Sequence, residues 1–453
     1  MNIKKITALT LAALTLGASV SCGEEKPEDM SDSQEESENE APESSPITLT
    51  LDTPYNIGSL ASAVAEYNRS QDDYYIDLKN RYTESQFRED PDLREQSFNE
   101  LKLDMVSGKA ADIIAVEPHQ MEMFVNLGMF TDMYALMELY DGVKKEDLLQ
   151  NILEGFEVDG KLPALSYGFH ISSAAVEKEY AGENAESWTP EQAVAAYEAM
   201  PDDLTFFEAG DTSQLVWYMT KTAYRSYVDE ENGTCNFTDS SFVELLELAC
   251  DNPKGNNIGE NDMVKRLILY SFSGQTADFY REFNGQDVEF VGFPSEDGYG
   301  AVGTSAIVFG ISESCENKEG AWDFMCYLLS KRYQRDLIES DLNRYFPILK
   351  EVFDEQAFAQ DTEAYSHDNM WYFLMQTYEN NPDAELTPEQ AQQKIYDYLT
   401  TLKFDPYSGE YYNNELVGII YEECAAAAAG GTTAQECAEL LQNRISIYLS
   451  ERS

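Results

Sequence analysis

Residues 97–117, SFNELKLDMVSGKAADIIAVE, decide how the body of this chain folds. The first half places Phe98, Leu101, Met105 and Val106 at helical spacing and stops at Gly108. The second half, Asp112 to Glu117 (DIIAVE), is a continuous apolar run of strand length, as found in a sheet covered on both faces. Toward the N-terminus, Ile47 to Asp52 (ITLTLD) reads as a strand that stops at Thr53-Pro54-Tyr55-Asn56. Ser59 to Arg69 then puts Leu60, Ala63, Val64 and Tyr67 on one helical face, and Tyr74 to Asn80 reads as a second strand. After DIIAVE, Met121 to Leu136 returns to helix, broken at Gly128. This β-α-β-α-β succession predicts a mostly parallel, doubly wound sheet flanked by helices. Ligands of such sheets bind beyond the carboxyl ends of strands, which singles out the loops at Tyr55-Asn56 and Glu117-Pro118-His119.

The following section repeats the theme. Lys161 to Ala175 (KLPALSYGFHISSAA) is extended and apolar. Helices are expected at Pro190 to Ala199 with Thr189 as N-cap, at Ser213 to Tyr227, at Ser240 to Asp251 and at Lys318 to Leu329. Strands are expected at Leu267 to Ser273, Val288 to Pro294 and Ser305 to Ile311, and the chain from Pro347 onward is largely helical. A second α/β lobe follows. Gly298 to Gly303 (GYGAVG) matches the dinucleotide fingerprint, but that motif needs a helix opening on its last glycine. A strand follows here, so these glycines read as a turn. No Walker A loop, HExxH or GxSxG occurs.

The N-terminus carries a different message. Lys4 and Lys5 precede an uncharged, mostly apolar run from Ile6 to Val20, and Ser19-Val20-Ser21 leads to Cys22, the layout of a secretory signal. A cysteine at that point resembles the lipobox of bacterial lipoproteins, with Ser19 where leucine is usual, and predicts a lipid anchor at Cys22. Gly23 to Pro46 holds ten carboxylates against Lys26, an acidic tether expected to be disordered and extended. The chain has 84 acidic and 30 basic residues, a net charge of -54, and the acidity continues into the body. Such a surface argues against nucleic acid and against anionic lipid headgroups. No later apolar stretch reaches spanning length. Six cysteines remain, Cys235, Cys250, Cys315, Cys326, Cys424 and Cys437; sequence neighbours would pair simply, and buried reduced thiols are the alternative. With three histidines and no Cys/His cluster, no metal or other cofactor is expected.

Several segments together resemble the extracellular solute-binding proteins of the carbohydrate-type ABC importers, the group that includes maltose-binding protein. They are TLDTPYNIGSLASAVAEYNRS, DMVSGKAADIIAVEP, GKLPALSYGFHISSAAVEK, WTPEQAVAAYEAM, FVGFPSEDGYG, GTSAIVFGISESCENKEGAWDFMCYLLS and AQECAELLQNRISIYLSE, in the family's order over nearly the whole body. The resemblance implies an α/β, two-lobed periplasmic-binding-protein fold of type II, each lobe a mostly parallel sheet flanked by helices, hinged by crossover segments. It places the N-terminal lobe at 47–163 plus 292–335 and the C-terminal lobe at 164–291 plus 336–453, with crossings near Gly160 to Tyr167, Phe290 to Pro294 and Arg332 to Phe346. It also implies a monomer that delivers a small solute, typically a carbohydrate, to ABC permease subunits at the outer face of the cytoplasmic membrane.

Carried over residue by residue, Tyr55 and Asn56 match the loop after the first strand, and Glu117 with His119 the polar residues after DIIA. Tyr167 and His170 match the first crossover, Ser273 and Gln275 a cleft segment, and Trp371 a C-terminal stacking aromatic, with Trp217 as a weaker match. Sugar sites combine hydrogen-bonding carboxylates and amides with flat rings. Each residue also has a plainer reading: core packing for the tryptophans, a helix cap for Glu117, a partly buried histidine for His170. No catalytic pair stands out among the many carboxylates, so the expectation is a binding protein rather than an enzyme. A surface glycan hydrolase, or a binder of peptides or other solutes, is the alternative.

Overall fold

Strand β1 (Ile47–Thr53) runs into the helix Gly58–Ser70 and then β2 (Tyr74–Asn80), which lies parallel to β1 from Ile47 opposite Tyr74 to Thr53 opposite Asn80. The helix Leu93–Val106 leads to β3 (Ile113–Val116), parallel to β1 on its other side. All four β3 residues are buried, as a strand covered on both faces requires. The computed structural model describes residues 45–451 apart from 56, 91, 183–186, 203, 208–215, 217–219, 221, 230–231, 252–261, 296–297, 340–344, 359–368 and 408–414. Cys22, the acidic tether as far as residue 44, Asn56 and Trp217 lie outside the described residues.

Two larger sheets organise the described chain. The first has the order β2-β1-β3-β12-β4, with β4 at Leu165–Ser166 and β12 at Val308–Ile311. The second is built on the long strand β5 (Gly168–Glu177), which pairs with β9 (Asp262–Leu269), β10 (Val288–Phe290), β11 (Val302–Ser305) and β13 (Phe346–Pro347). Strand β6 (Thr205–Phe207) pairs with β9, and β7 (Val228–Asp229) with β8 (Thr234–Cys235) forms a separate hairpin. The first sheet contains the expected parallel core. The second is mainly antiparallel, because β9, β10, β11 and β13 all run against β5. A buried apolar run reads the same in either direction, and only long-range pairing sets its sense.

Among the described residues, the chain passes between the two sheets at Tyr167, at Ala306–Ile307, and again between β12 and β13. The second passage lies beyond Phe290 to Pro294, because β11 still pairs with β5 and only β12 joins β3. The return segment of the first lobe therefore begins near Val308 rather than at residue 292. The expected strand over Leu267 to Ser273 also shifts: β9 ends at Leu269, and Ser271 caps a helix over Phe272–Glu282 by accepting from the Gly274 amide.

One apolar core fills the first lobe and continues onto one face of the second sheet, where Phe169, Ile171 and Ala175 of β5 point; Ala174 and Val176 point to a separate core on the other face. That alternation is the period-two pattern of a strand buried on both sides. The helix Gln150–Phe156, before the first crossing, docks on the end of the helix Pro388–Thr401. Asn151 Nδ2 donates to the carbonyls of Leu399 at 2.9 Å and Leu402 at 3.2 Å. Gly155 permits this approach, since a Cβ there would overlap the Phe404 carbonyl. Near the end of β1, buried Asp52 meets Arg81 at 2.7 Å, and the same guanidinium nitrogen reaches Asp104 at 2.8 Å.

Candidate functional site

Because β1 and β3 are parallel neighbours, their carboxyl ends deliver Tyr55 and Glu117 to one rim of the first lobe. The helix Pro118–Asn126 opens directly on β3. Pro118 takes the first helical position, and Glu117 takes the N-cap with extended backbone but makes no side-chain cap bond. Its carboxylate is therefore available, and the capping reading falls. Burial pushes the Glu117 carboxyl above its ordinary range, with the Arg94 guanidinium opposing. His119 Nδ1 lies 3.7 Å from Glu117 Oε2. Burial lowers the imidazole below its usual value, so His119 is neutral at pH 7 and the contact is polar rather than ionic.

Tyr55 is fixed on three sides. Gln120 Nε2 donates to its hydroxyl, Phe87 meets its ring edge-on at 6.3 Å, and the Arg94 guanidinium sits 5.6 Å over both rings. Burial raises the Tyr55 phenol, which keeps it neutral and able to donate. Gln120 is itself buried, and its Oε1 has no hydrogen-bond partner among the described residues. Neither Gln120 nor Arg94 was legible beforehand. The available signal was position alone: Gln120 falls in the first turn of a helix that opens on the rim.

Other expected residues are placed differently. Tyr167 lies in the crossover but is buried against Phe309 at 6.0 Å and Tyr333 at 5.7 Å, and burial pushes its phenol up to about 12. It packs the hinge. His170 is half-buried on β5 and stacks on Tyr345 at 5.3 Å, in line with its plainer reading. Gln275 is buried, with Oε1 accepting from the amides of Tyr270 at 3.1 Å and Ser271 at 2.6 Å, so its carbonyl is committed to the helix start. Ser273 belongs to the helix Phe272–Glu282 and Trp371 to the helix Asn369–Glu379; their side chains lie outside the described residues.

Residues 402–407 follow the helix Pro388–Thr401 and pack on the core that also holds the first sheet. The Tyr407 ring lies 6.0 Å from Phe156; burial raises its hydroxyl strongly, and the Glu122 carboxylate of the rim helix adds to the effect. The Tyr407 hydroxyl is buried without a partner among the described residues. Asp405 pairs with Arg225 and accepts from the Tyr407 amide at 2.9 Å. Arg225 and Lys403 lie 5.6 Å and 5.4 Å from the centre of the Tyr299 ring. The two flanks offer phenols, a carboxylate and an amide with free hydrogen-bonding capacity beside flat rings. A surface hollow of about 570 Å³, lined by Lys145, Asn151, Lys350 and Tyr396 among others, shares no residue with either flank. No group of three or more metal-ligating side chains occurs among the described residues, and no described helix is long and apolar enough to cross a membrane.

No curated protein sequence matches the chain. Among solved structures it is similar to an extracellular solute-binding protein family 1 member from Alicyclobacillus acidocaldarius, at 13% identity and a TM-score of 0.52, over 89% of this chain and 99% of that one. It is similar to the sugar-binding protein MalE from Xanthomonas citri at 13% identity and a TM-score of 0.55, over 89% and 98% of the two chains. A structure described as a de novo designed esterase matches at 12% identity and a TM-score of 0.54, over 89% and 99%. At such identities these likenesses establish the two-lobed fold. Residues 94–365, more than half of the sequence, match the family model described as bacterial extracellular solute-binding protein. The chain belongs to the bacterial extracellular solute-binding protein family.

Proposed function

We propose that this protein is the capture component of an ABC import system, taking a small solute, a sugar or oligosaccharide, between its lobes and delivering it to a membrane permease. The observation that carries the reading is the pair of buried, unpartnered polar atoms, Gln120 Oε1 on the first lobe and Tyr407 Oη on the second. Unpaired buried polar groups are costly, and a polyhydroxylated ligand supplies both donors and acceptors to relieve them. The Tyr55 ring beside Gln120 offers a flat face to the C–H side of a sugar. Ligand then favours closure only by as much as it binds the closed form more tightly than the open one. The MalE protein from Xanthomonas citri is described as sugar-binding, which supports the same class.

A thermal-shift panel of saccharides, polyols and peptides tests this directly. A true ligand at 100 times its Kd adds about 2.7 kcal/mol of stability. Tyr55→Ala is expected to weaken saccharide binding about tenfold, or 1.4 kcal/mol. Stabilisation by peptides alone would refute the sugar assignment, and recovery of cleaved saccharide would refute capture without turnover.

The same proposal anchors the protein by a lipid on Cys22 at the outer face of the membrane, with the acidic segment as spacer. Cys22→Ser is expected to move the protein from the membrane fraction to the soluble extracytoplasmic fraction. An unchanged membrane share would count against lipidation.

A further inference from the structure

The six cysteines of the body are all reduced in the structure, and their surroundings differ sharply. Cys235 on β8 faces the helix Ala434–Ser450, with Sγ 3.7 Å from the Gln442 carbonyl and 3.4 Å from Ser446 Oγ. Cys315 is buried beside the Asp112 carboxylate, before the helix Lys318–Leu328. Cys326 sits near the far end of that helix against Gly142. The helix from Lys318 to Cys326 rises about 12 Å at 1.5 Å per residue, well beyond the roughly 4.4–6.8 Å between Cα atoms that a disulfide spans. Cys424 and Cys437 are the exception. Both are fully buried, one in the helix Glu415–Ala428 and the other in Ala434–Ser450, two helices joined by residues 429–433. The two side chains belong to one buried apolar cluster on facing helices of this hairpin. Buried Ala427, Ala428, Ala434 and Ala438 flank the pair. Small side chains of this kind let helix backbones approach more closely than the usual 8–10 Å or so.

We propose that Cys424 and Cys437 are joined by a disulfide in the exported protein, while Cys250, on the helix Ser240–Asp251 beside the same cluster, stays reduced. The oxidant is a small-molecule or protein disulfide. One cysteine thiolate attacks that disulfide, forms a mixed disulfide and expels one thiolate. The second cysteine thiolate attacks the mixed disulfide at its protein sulfur and expels the other. The expelled thiolates take up the two protons released, so two protein thiols are oxidised and one external disulfide is reduced to two thiols. Because both sulfurs are buried, exchange occurs before the hairpin packs, and the finished bond is shielded from reductant. The proposal rests on export, which family membership implies, and not on the nature of the solute.

The full chain, reduced and unfolded, is refolded in a buffer of reduced and oxidised glutathione, then denatured without reductant and treated with a thiol-alkylating label. Of seven cysteines, five are expected to take label, and peptide mapping should recover a fragment joining Cys424 to Cys437. Seven labels, or a bond that involves Cys250 or any other cysteine, overturns the proposal. A second readout uses unfolding: reductant should lower the urea midpoint of the wild type and leave the C424A/C437A protein unchanged. An equal response in both proteins also overturns it. A defined redox buffer makes this result independent of solute binding, so failure here leaves the capture reading untouched.

Discussion

Arg81→Ala is expected to destabilise the protein by about 3–5 kcal/mol, the range for stranding one member of a buried ion pair. Asp52 is 1% exposed at the end of β1, and the Arg81 guanidinium is its charged partner at 2.7 Å. The two groups are perturbed in ways that look opposed. Burial raises the Asp52 carboxyl despite Arg81, whereas Arg81 is held charged by two carboxylates, Asp52 and Asp104. Burial thus costs the carboxylate more than the pair returns, and the pair relieves a penalty rather than adding a surplus. Removing Arg81 raises the folded Asp52 value further. A carboxyl raised on folding favours the folded state at low pH and loses that contribution as pH rises through its folded value. The Arg81→Ala deficit should therefore be smaller at pH 5 than at pH 8, and a further Asp52→Asn change should recover part of it. Urea unfolding at both pH values measures this. A deficit below about 1 kcal/mol, the worth of an exposed pair, or one that does not change with pH, would show that the pair is not energetically buried.

Phe404→Ala is expected to cost about 3–5 kcal/mol, the usual loss for truncating a buried aromatic ring. Phe404 is 2% exposed, with ring centres 6.1 Å from Phe156 and 5.7 Å from Phe169. Gly155 on one side and Gly303 of β11 on the other leave room for it, and a Cβ at either position would overlap it. The ring therefore ties the docked helix Gln150–Phe156 to the second sheet. Its loss should also raise amide exchange at Phe156 and in β11 more than in β1 and β3. Equal exchange throughout, with a small stability loss, would mean that the cradle collapses around the gap.

Much of the fold was legible because its signals are local. The helical face at Leu60, Ala63, Val64 and Tyr67 is buried as spaced, and Thr189 caps its helix with Gln192 in a reciprocal box. The glycines of GYGAVG lead into β11, which pairs with β5, so the strand that argued against a dinucleotide site is present. The second crossing was not legible, because residues 290–308 break short apolar stretches with glycines, Pro294 and polar residues in a way that suits either sheet. The site was half legible. Strand ends pointed to Tyr55, Glu117 and His119, but nothing in its local sequence marks Gln120 as the partner of a tyrosine 65 residues away.

By itself, the sequence determined the β-α-β-α-β run from Ile47 to Val116 and where β1 and β3 end, and hence the rim of the first lobe. Tertiary structure alone decided the antiparallel sense of the second sheet, the passage at Ala306–Ile307, the pairing of Gln120 with Tyr55, and the burial of Cys424 and Cys437 in one cluster. The physical reason is range. Periodicity and capping act over a few residues, whereas strand sense and partner choice are set by contacts between residues distant in sequence.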